Sequence, residues 1–142
     1  NFIKVDYNYC IDLATDALKN GVKRISLISS VGSNPNSSLL YPKTKGLVER
    51  DLSKLAFDHI SIMRPGLILG NRKERRILEK IAIYIYSFIN HFLFGNLKKY
   101  KSISANDISK AMIYQLIKAG DGLHVLEYDQ LIKSSKNFNT LS

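Results

Sequence analysis

Cysteine and histidine, the residues of disulfide frameworks and zinc sites, are scarce in this sequence. Its 142 residues include one cysteine, Cys10, and three scattered histidines. A single cysteine cannot form an intramolecular disulfide, and scattered histidines give no zinc-ligand spacing. The composition therefore excludes a disulfide scaffold and a cysteine-rich metal module. It predicts no metal site and favours a reducing, cytoplasmic location.

The sequence also lacks an apolar run long enough to cross a membrane. Its longest such stretch, Ile81–Phe94, covers 14 residues, whereas a membrane-spanning helix needs roughly 20. We expect a buried or interface helix here, with a helix lying on a membrane surface as the alternative. No signal-peptide pattern is present and residue 1 is Asn rather than Met, so we expect the chain to begin within a longer protein.

Negative charge is in short supply, with 12 Asp and Glu against 21 Lys and Arg and a formal net charge of +9. This surplus suits a nucleic acid, an anionic membrane or a phosphate-bearing cofactor as partner. Basic runs at Arg72–Arg76 and Lys98–Lys101 are the candidate contacts for RNA or a membrane. Because no aromatic-rich RNA-binding motif accompanies them, no specific nucleic-acid partner is expected.

Helices and strands are predicted to alternate along a chain long enough for one compact domain. Apolar residues at three- and four-residue spacings predict helices, with Gly46 a tolerated weak point in one of them, and short apolar runs between turns predict strands. Parallel strands need crossover connections, so the alternation predicts an α/β fold with a parallel sheet covered by helices. The predicted helices cover Val5–Asn20, Tyr41–Ala56 and Ser104–Lys118, and the predicted strands cover Arg24–Ser29, His59–Met63 and Leu123–Tyr128.

The sharpest local feature is a tyrosine and a lysine four residues apart, Tyr41 and Lys45. On a helix this spacing puts both side chains on one face. A tyrosine ordinarily has a pKa of about 10, and a nearby cation stabilises its phenolate, so such a pair can supply a general acid or base. A hydroxyl at the end of the preceding strand could hydrogen-bond the same substrate oxygen. Ser30 is the candidate for this role, with Ser29 second.

The order of these features resembles the short-chain dehydrogenase/reductase superfamily. A strand-terminal Ser29-Ser30 precedes the Tyr41 and Lys45 pair, and a strand ending in Arg64-Pro65-Gly66 follows. Within that superfamily, the segment Val5–Arg76, with its runs VDYNYC, LISSVGS and LLYPKTKG, resembles the atypical HIV Tat-interacting protein family. The resemblance implies a Rossmann-like, doubly wound sheet. It also implies hydride transfer between NADP or NAD and a small carbonyl or alcohol.

The resemblance also implies roles for individual residues. Tyr41 would be the general acid or base, Lys45 its electrostatic partner, and Ser30 the anchor for the substrate oxygen. Arg76 would lie near the cofactor, where a guanidinium can form two hydrogen bonds to phosphate oxygens. The alternative is that Arg76 belongs to a solvated loop. The implied cofactor contacts are Tyr41, Lys45, Pro65, Gly66, Ile68 and Arg76.

Other titratable residues are not predicted to be catalytic. Asp6 occupies the position where many superfamily members have asparagine, and a carboxylate cannot supply the donor of an amide. We therefore leave Asp6 out of the predicted catalytic set. His59, His91 and His124 are expected to be packing or surface residues.

A glycine-rich turn is the last missing feature. Dinucleotide-binding domains hold a pyrophosphate on such a turn between the first strand and the first helix, and no such turn occurs here. We therefore expect residues 1–142 to be the C-terminal half of a single dinucleotide-binding domain, with the cofactor held mainly by a missing first half. An open sheet edge would then pair with that half or make the chain oligomeric or poorly stable.

Two functions stay open within this resemblance. One is an NAD(P)-dependent oxidoreductase that uses Tyr41, Lys45 and Ser30. The other is a non-enzymatic, NADPH-bound regulatory or scaffold protein of the same family.

Overall fold

A computed structural model describes residues 4–69 and 95–141 of the chain. Its main sheet has three parallel strands in the order β1-β2-β5, and a second sheet pairs two short strands, β3 and β4, also in parallel. The strands are β1 (Arg24–Ile28), β2 (His59–Met63), β3 (Ile68–Leu69), β4 (Ile103–Ser104) and β5 (Gly122–Leu126). The α-helices are α1 (Tyr9–Lys19), α2 (Leu40–Leu52), α3 (Ala105–Lys118) and α4 (Tyr128–Phe138), with a π-helical turn at Lys4–Asn8 and a 3-10 helix at Gly95–Tyr100.

The predicted parallel α/β architecture is confirmed, with differences at several element boundaries. The first predicted helix begins as the π-helical turn, and the second ends at Leu52 rather than Ala56. The segments Arg72–Arg76 and Ile81–Phe94 lie outside the described residues. Within the described parts of the chain, no helix is long and apolar enough to cross a membrane.

Helix α4 is missing from the sequence prediction. Tyr128, Leu131 and Ile132 pack on the core, but the next turn buries Ser134 and Ser135 where an apolar stripe would continue. Of its side chains, Leu131, Ser134 and Ser135 are buried. The Ser135 hydroxyl donates to a carboxylate oxygen of Asp107 on α3 at 2.7 Å. Ser104 caps α3 by accepting a hydrogen bond from the Asp107 backbone N–H at 3.0 Å. Hydrogen bonds from Ser104 and Ser135 lower the pKa of Asp107.

The central strand β2 is buried along its whole length and divides the core in two. Successive side chains of a strand point to opposite faces, so Ile60 and Ile62 pack on one face and Met63 on the other. The first face is covered by α1 and α2, and the second by α3 and α4. The buried clusters are Ala14, Leu52, Phe57, Ile60 and Ile62 on one side, and Met63, Ile103, Ile108, Ala111, Leu126 and Leu131 on the other.

Gly46 allows a loop to pack directly on α2. A Cβ atom at this position would lie 2.3 Å from the backbone nitrogen of Pro35 and 2.4 Å from the carbonyl carbon of Asn34. The Asn34 N–H also donates to the carbonyl oxygen of Pro42 at 3.0 Å. Beyond its low helix propensity, Gly46 therefore has a packing role that the sequence does not indicate, because the missing side chain makes room for the loop that follows β1.

Candidate active site

The ends of β1 and β2 place Ser30 beside the Arg64-Pro65 segment. The Ser29 N–H donates to the Met63 carbonyl at 2.8 Å, and the Val31 N–H donates to the Pro65 carbonyl at 2.9 Å. Ser30 therefore lies between two hydrogen bonds that continue the parallel pairing beyond the strands. This is the carboxyl edge of the sheet, where ligands bind in open α/β folds.

Three serines cluster in the loop that follows β1. The Ser33 hydroxyl donates to the Ser30 carbonyl at 2.6 Å, and its oxygen lies 2.9 Å from that of Ser29 and 3.4 Å from that of Ser30. Ser29 is buried, whereas Ser30 and Ser33 are partly exposed. Ser30 therefore has the more accessible of the two hydroxyls that the sequence puts forward as the substrate anchor. Ser33 was not among the predicted site residues, and its position in the sequence does not indicate that it contacts Ser29 and Ser30.

Tyr41 and Lys45 lie together near the start of α2. The Lys45 ammonium nitrogen is 5.9 Å from the centroid of the Tyr41 ring. About half of the Tyr41 side chain is exposed, while that of Lys45 is only 17% exposed. The arrangement brings a positive charge next to a phenol that solvent, and hence a small molecule, can reach.

Asp6 also belongs to this group, which the sequence prediction missed. One of its carboxylate oxygens accepts a hydrogen bond from the Lys45 ammonium at 3.0 Å, and the Asp6 side chain is 28% exposed. The two residues are 39 positions apart, so no local spacing indicates the contact. Charge is the one property of the sequence that could have predicted this contact. A mostly buried lysine needs a partner of opposite charge, and an acidic residue on the element that packs against α2 can supply it.

A second ion pair ties the end of β2 to α2. The Arg64 guanidinium donates through two nitrogens to the carboxylate of Glu49, which is buried. These hydrogen bonds raise the pKa of Arg64. Because Arg64 directly precedes Pro65, the ion pair fixes the strand exit to the helix that carries Tyr41 and Lys45.

Gly66 and Ile68 follow Pro65 and pack against the segment that leads into β4. A Cβ atom on Gly66 would lie 2.6 Å from the Lys101 carbonyl oxygen and 2.7 Å from that of Tyr100, so the glycine permits close backbone packing. Ile68 is 43% exposed and pairs with Ile103 in the small sheet. The remaining predicted cofactor contact, Arg76, lies outside the described residues.

The histidines lie apart from this group. His59 is fully buried at the amino end of β2, and its ring stacks on that of His124 with the centroids 4.9 Å apart. His91 lies outside the described residues. Within the described part of the chain, no cluster of three or more His, Cys, Asp or Glu could hold a metal ion.

Comparison with known proteins identifies relatives of the chain. No family model matches the sequence. Protein FMP52 of Candida albicans is 39% identical over 146 aligned positions, which cover 98% of this chain and 62% of that protein. Protein HTATIP2 of Rattus norvegicus is 31% identical over 138 positions, which cover 96% of this chain and 55% of that protein. The chain is a homologue of FMP52 and HTATIP2. The predicted resemblance to the Tat-interacting protein family is therefore confirmed.

A solved structure supports the fold. The protein MoeE5, in a complex with UDP-glucose and NAD, matches 95% of this chain and 54% of its own length with a TM-score of 0.55. Sequence identity is 12%, so the match shows similarity of fold alone. The fold is Rossmann-like, as predicted. The chain spans 52% to 62% of the length of the curated relatives it matches.

The expected cytoplasmic location is wrong. The FMP52 relatives from Candida albicans, Aspergillus terreus and Debaryomyces hansenii are all named as mitochondrial proteins. The expectation rested on the single cysteine. Scarce cysteine excludes a disulfide scaffold, but it does not distinguish one disulfide-free compartment from another.

Proposed function

We propose that this chain supplies the proton-transfer residues of an NAD(P)-dependent oxidoreductase of the short-chain type, acting on a small carbonyl or alcohol. The observation that carries the proposal is the position of the Lys45 ammonium 5.9 Å from the centroid of the half-exposed Tyr41 ring. This pair lies on α2, which the loop after β1 joins to the carboxyl edge of the sheet. Homology to FMP52 and HTATIP2 and the Rossmann-like fold support it.

In the proposed reaction, Tyr41 donates its phenolic proton to the carbonyl oxygen of the substrate during reduction and takes it back during oxidation. The Lys45 ammonium stabilises the phenolate that forms, since opposite charges attract across a partly buried site. The Ser30 hydroxyl donates a hydrogen bond to the same substrate oxygen and orients it toward Tyr41. When bound, the nicotinamide supplies or accepts the hydride.

The groups at this edge suit a nicotinamide ribose and ring. We propose that Tyr41 and Lys45 donate to ribose hydroxyls and that Gly66 lines the nicotinamide end of the site. Pro65, which is buried and accepts a hydrogen bond from the Val31 N–H, would form the wall beneath it. We propose that Ile68 and Arg76 complete the contacts with NADP or NAD. We also propose that these 142 residues are the C-terminal half of one dinucleotide-binding domain, whose glycine-rich turn lies elsewhere in the natural protein. The names of the FMP52 relatives support a mitochondrial location.

The test compares Tyr41→Phe with Tyr9→Phe in the natural protein that contains this chain. Tyr9 is exposed on α1 and serves as the matched control. Turnover of a panel of small carbonyls should fall at least about 100-fold in Tyr41→Phe, because general acid catalysis contributes that much, and should not change in Tyr9→Phe. The dissociation constant for NADPH or NADH should rise by no more than about 10-fold in Tyr41→Phe, which loses one ribose contact, and should not change in Tyr9→Phe.

Two results would contradict the proposal. Unchanged turnover in Tyr41→Phe would remove Tyr41 from the reaction. Tight NADPH binding without reduction of any carbonyl in the panel would favour the regulatory or scaffold alternative.

A further inference from the structure

The ion pair between Asp6 and Lys45 joins two separate elements at the proposed site. Asp6 lies in the π-helical turn before α1, whereas Lys45 lies on α2. Their charged atoms are 3.0 Å apart, and both side chains are mostly buried, with 28% and 17% exposed. A pair shielded to this degree is screened by salt far less than a surface pair.

The π-helical turn is anchored to α2 at a second point. The hydroxyl of Tyr7 donates to the Asp51 carboxylate at 2.8 Å, next to the Asp6 contact in sequence. This hydrogen bond raises the pKa of Tyr7, and hydrogen bonds from Arg50, Lys54 and Tyr7 hold the pKa of Asp51 far below its usual range. The backbone beside Asp6 is thus fixed along α2, so Asp6 approaches Lys45 from a set position.

Lys45 therefore has a carboxylate at 3.0 Å and a phenol ring at 5.9 Å. The carboxylate offsets part of the positive charge that the phenol experiences and keeps the flexible lysine side chain in place. We propose that Asp6 is a positioning residue that holds the Lys45 ammonium beside Tyr41 and moderates its charge there. This proposal rests on the proposed function, which assigns the proton transfer to Tyr41.

Within the described part of the chain, the other charged side chains of α1 and α2 are engaged elsewhere or exposed. On α2, Glu49 pairs with Arg64, and Asp51 binds Tyr7, Arg50 and Lys54. The loop from position 29 to 39 contributes serines and asparagines but no charge. The remaining charged residues of α1 and of the first turns of α2 have exposed or partly exposed side chains: Asp12, Asp16, Lys19 and Lys43. Asp6 is therefore the acidic group whose removal should be felt at Tyr41.

The first experiment removes the charge and keeps the shape. Asp6→Asn and the control Asp12→Asn are made in the natural protein that contains this chain. Asp12 is an exposed acid on α1, so its substitution removes the same charge away from Lys45. In Asp6→Asn, the midpoint of the pH profile of kcat should move to lower pH by about 0.5 to 1 unit, because the phenolate then faces an uncompensated ammonium. A midpoint equal to that of Asp12→Asn would overturn the charge-moderating role.

The second experiment tests the positioning role with Asp6→Ala, which removes both the charge and the hydrogen-bond acceptor. We expect kcat to fall about 10-fold in Asp6→Ala and to stay within about 3-fold in Asp6→Asn, whose amide oxygen still accepts from Lys45. Equal kcat in the two variants would contradict positioning by Asp6.

A spectroscopic measurement separates failure of this inference from failure of the proposed function. The ultraviolet absorbance of tyrosinate is titrated in each protein with and without Tyr41→Phe, so that the difference reports Tyr41 alone. Its midpoint should be lower in Asp6→Asn than in the unmodified protein, whether or not any carbonyl is turned over. If no carbonyl is turned over but the titration midpoint shifts in Asp6→Asn, the oxidoreductase proposal alone is overturned. If carbonyls are turned over normally but the midpoint does not shift, the role of Asp6 alone is overturned.

Discussion

The two ends of the three-stranded sheet use polar side chains in different ways. At the amino end, the guanidinium of Arg24 donates to the carbonyls of Gln115, Leu116 and Ala119, and it pairs with Asp121. One side chain thereby satisfies carbonyls that the end of α3 leaves without helical partners. At the carboxyl end, by contrast, the serine hydroxyls bind mainly to one another and to one loop carbonyl. Two of these serines, Ser30 and Ser33, remain partly exposed.

This difference shows why residue type alone does not locate a site. Both ends contain cationic and aromatic side chains, but those at the amino end complete the hydrogen bonding of helices and turns. Those at the carboxyl end lie in the loop after β1 and near the start of α2, where part of their surface is accessible, at the edge where parallel sheets bind ligands. Substitutions at the amino end should therefore affect stability, and those at the carboxyl end should affect activity unless they disturb loop packing.

Gly46→Ala should have the largest effect, because it disturbs the packing that positions the carboxyl-end loop. Its Cβ would meet backbone atoms of Asn34 and Pro35, which cannot move as a flexible side chain can. We expect the free energy of unfolding to fall by about 2 to 3 kcal/mol even after the better helix propensity of alanine is included. Chemical denaturation measures the change. Gly120→Ala, at a position with open space for a Cβ, should not destabilise the protein, and an equal loss there would refute this explanation.

Arg24→Met should have the next largest effect, at the amino end. The substitution keeps an apolar stem but leaves several carbonyls at the end of α3 without their donor. We expect a loss of about 2 kcal/mol in the free energy of unfolding, with little change in dinucleotide binding. Arg50→Met is the control, because Asp51 keeps hydrogen bonds from Tyr7 and Lys54 without it. Equal destabilisation by both substitutions would argue against a special role for Arg24.

Sequence patterns predicted those parts of the molecule that depend on local periodicity. Strand β2 matches its predicted bounds, and the Tyr41 and Lys45 pair follows from helical spacing. Contacts between distant residues were missed, since Asp6 reaches Lys45 across 39 positions and Gly46 meets a loop folded back on its helix. No periodicity encodes such contacts. They arise only when the elements pack.

His59 gives the amino end a pH dependence that the carboxyl end should not share. Burial lowers the pKa of His59, whose unfolded-state value is about 6.5. The folded state therefore binds a proton less readily than the unfolded state does. The contribution of the neutral, buried His59 to the free energy of unfolding is fully present above about pH 6.5. It is lost as the pH falls through the pKa of His59 in the folded state. We expect a lower free energy of unfolding at pH 5.5 than at pH 7.5.

His59→Leu should abolish most of this difference. The Nδ1 of His59 donates to the Gly120 carbonyl at 2.8 Å, and His124 donates to the same carbonyl at 2.9 Å. After the substitution, the Gly120 carbonyl therefore still accepts a hydrogen bond from His124. The acidic groups with lowered pKa values, Asp51 and Asp107, titrate well below this pH range. His124→Leu should retain the pH dependence. If His59→Leu retains it as well, the buried imidazole is not its source.

Ser33→Ala should have the smallest effect on stability while still affecting activity. The Ser33 hydroxyl holds the Ser30 carbonyl and lies within hydrogen-bond distance of two other serine hydroxyls, so its loss should cost about 0.5 to 1 kcal/mol. Ser109→Ala is the matched control, because that hydroxyl also donates to a nearby carbonyl, of Ala105, on an exposed face of α3. If Ser30 anchors the substrate oxygen, loosening its loop should lower kcat/KM several-fold in Ser33→Ala and leave it unchanged in Ser109→Ala, although both variants lose similar stability. Equal kcat/KM in the two variants would mean that the serine cluster only closes the loop, and the carboxyl end would then depend on Tyr41 and Lys45 alone.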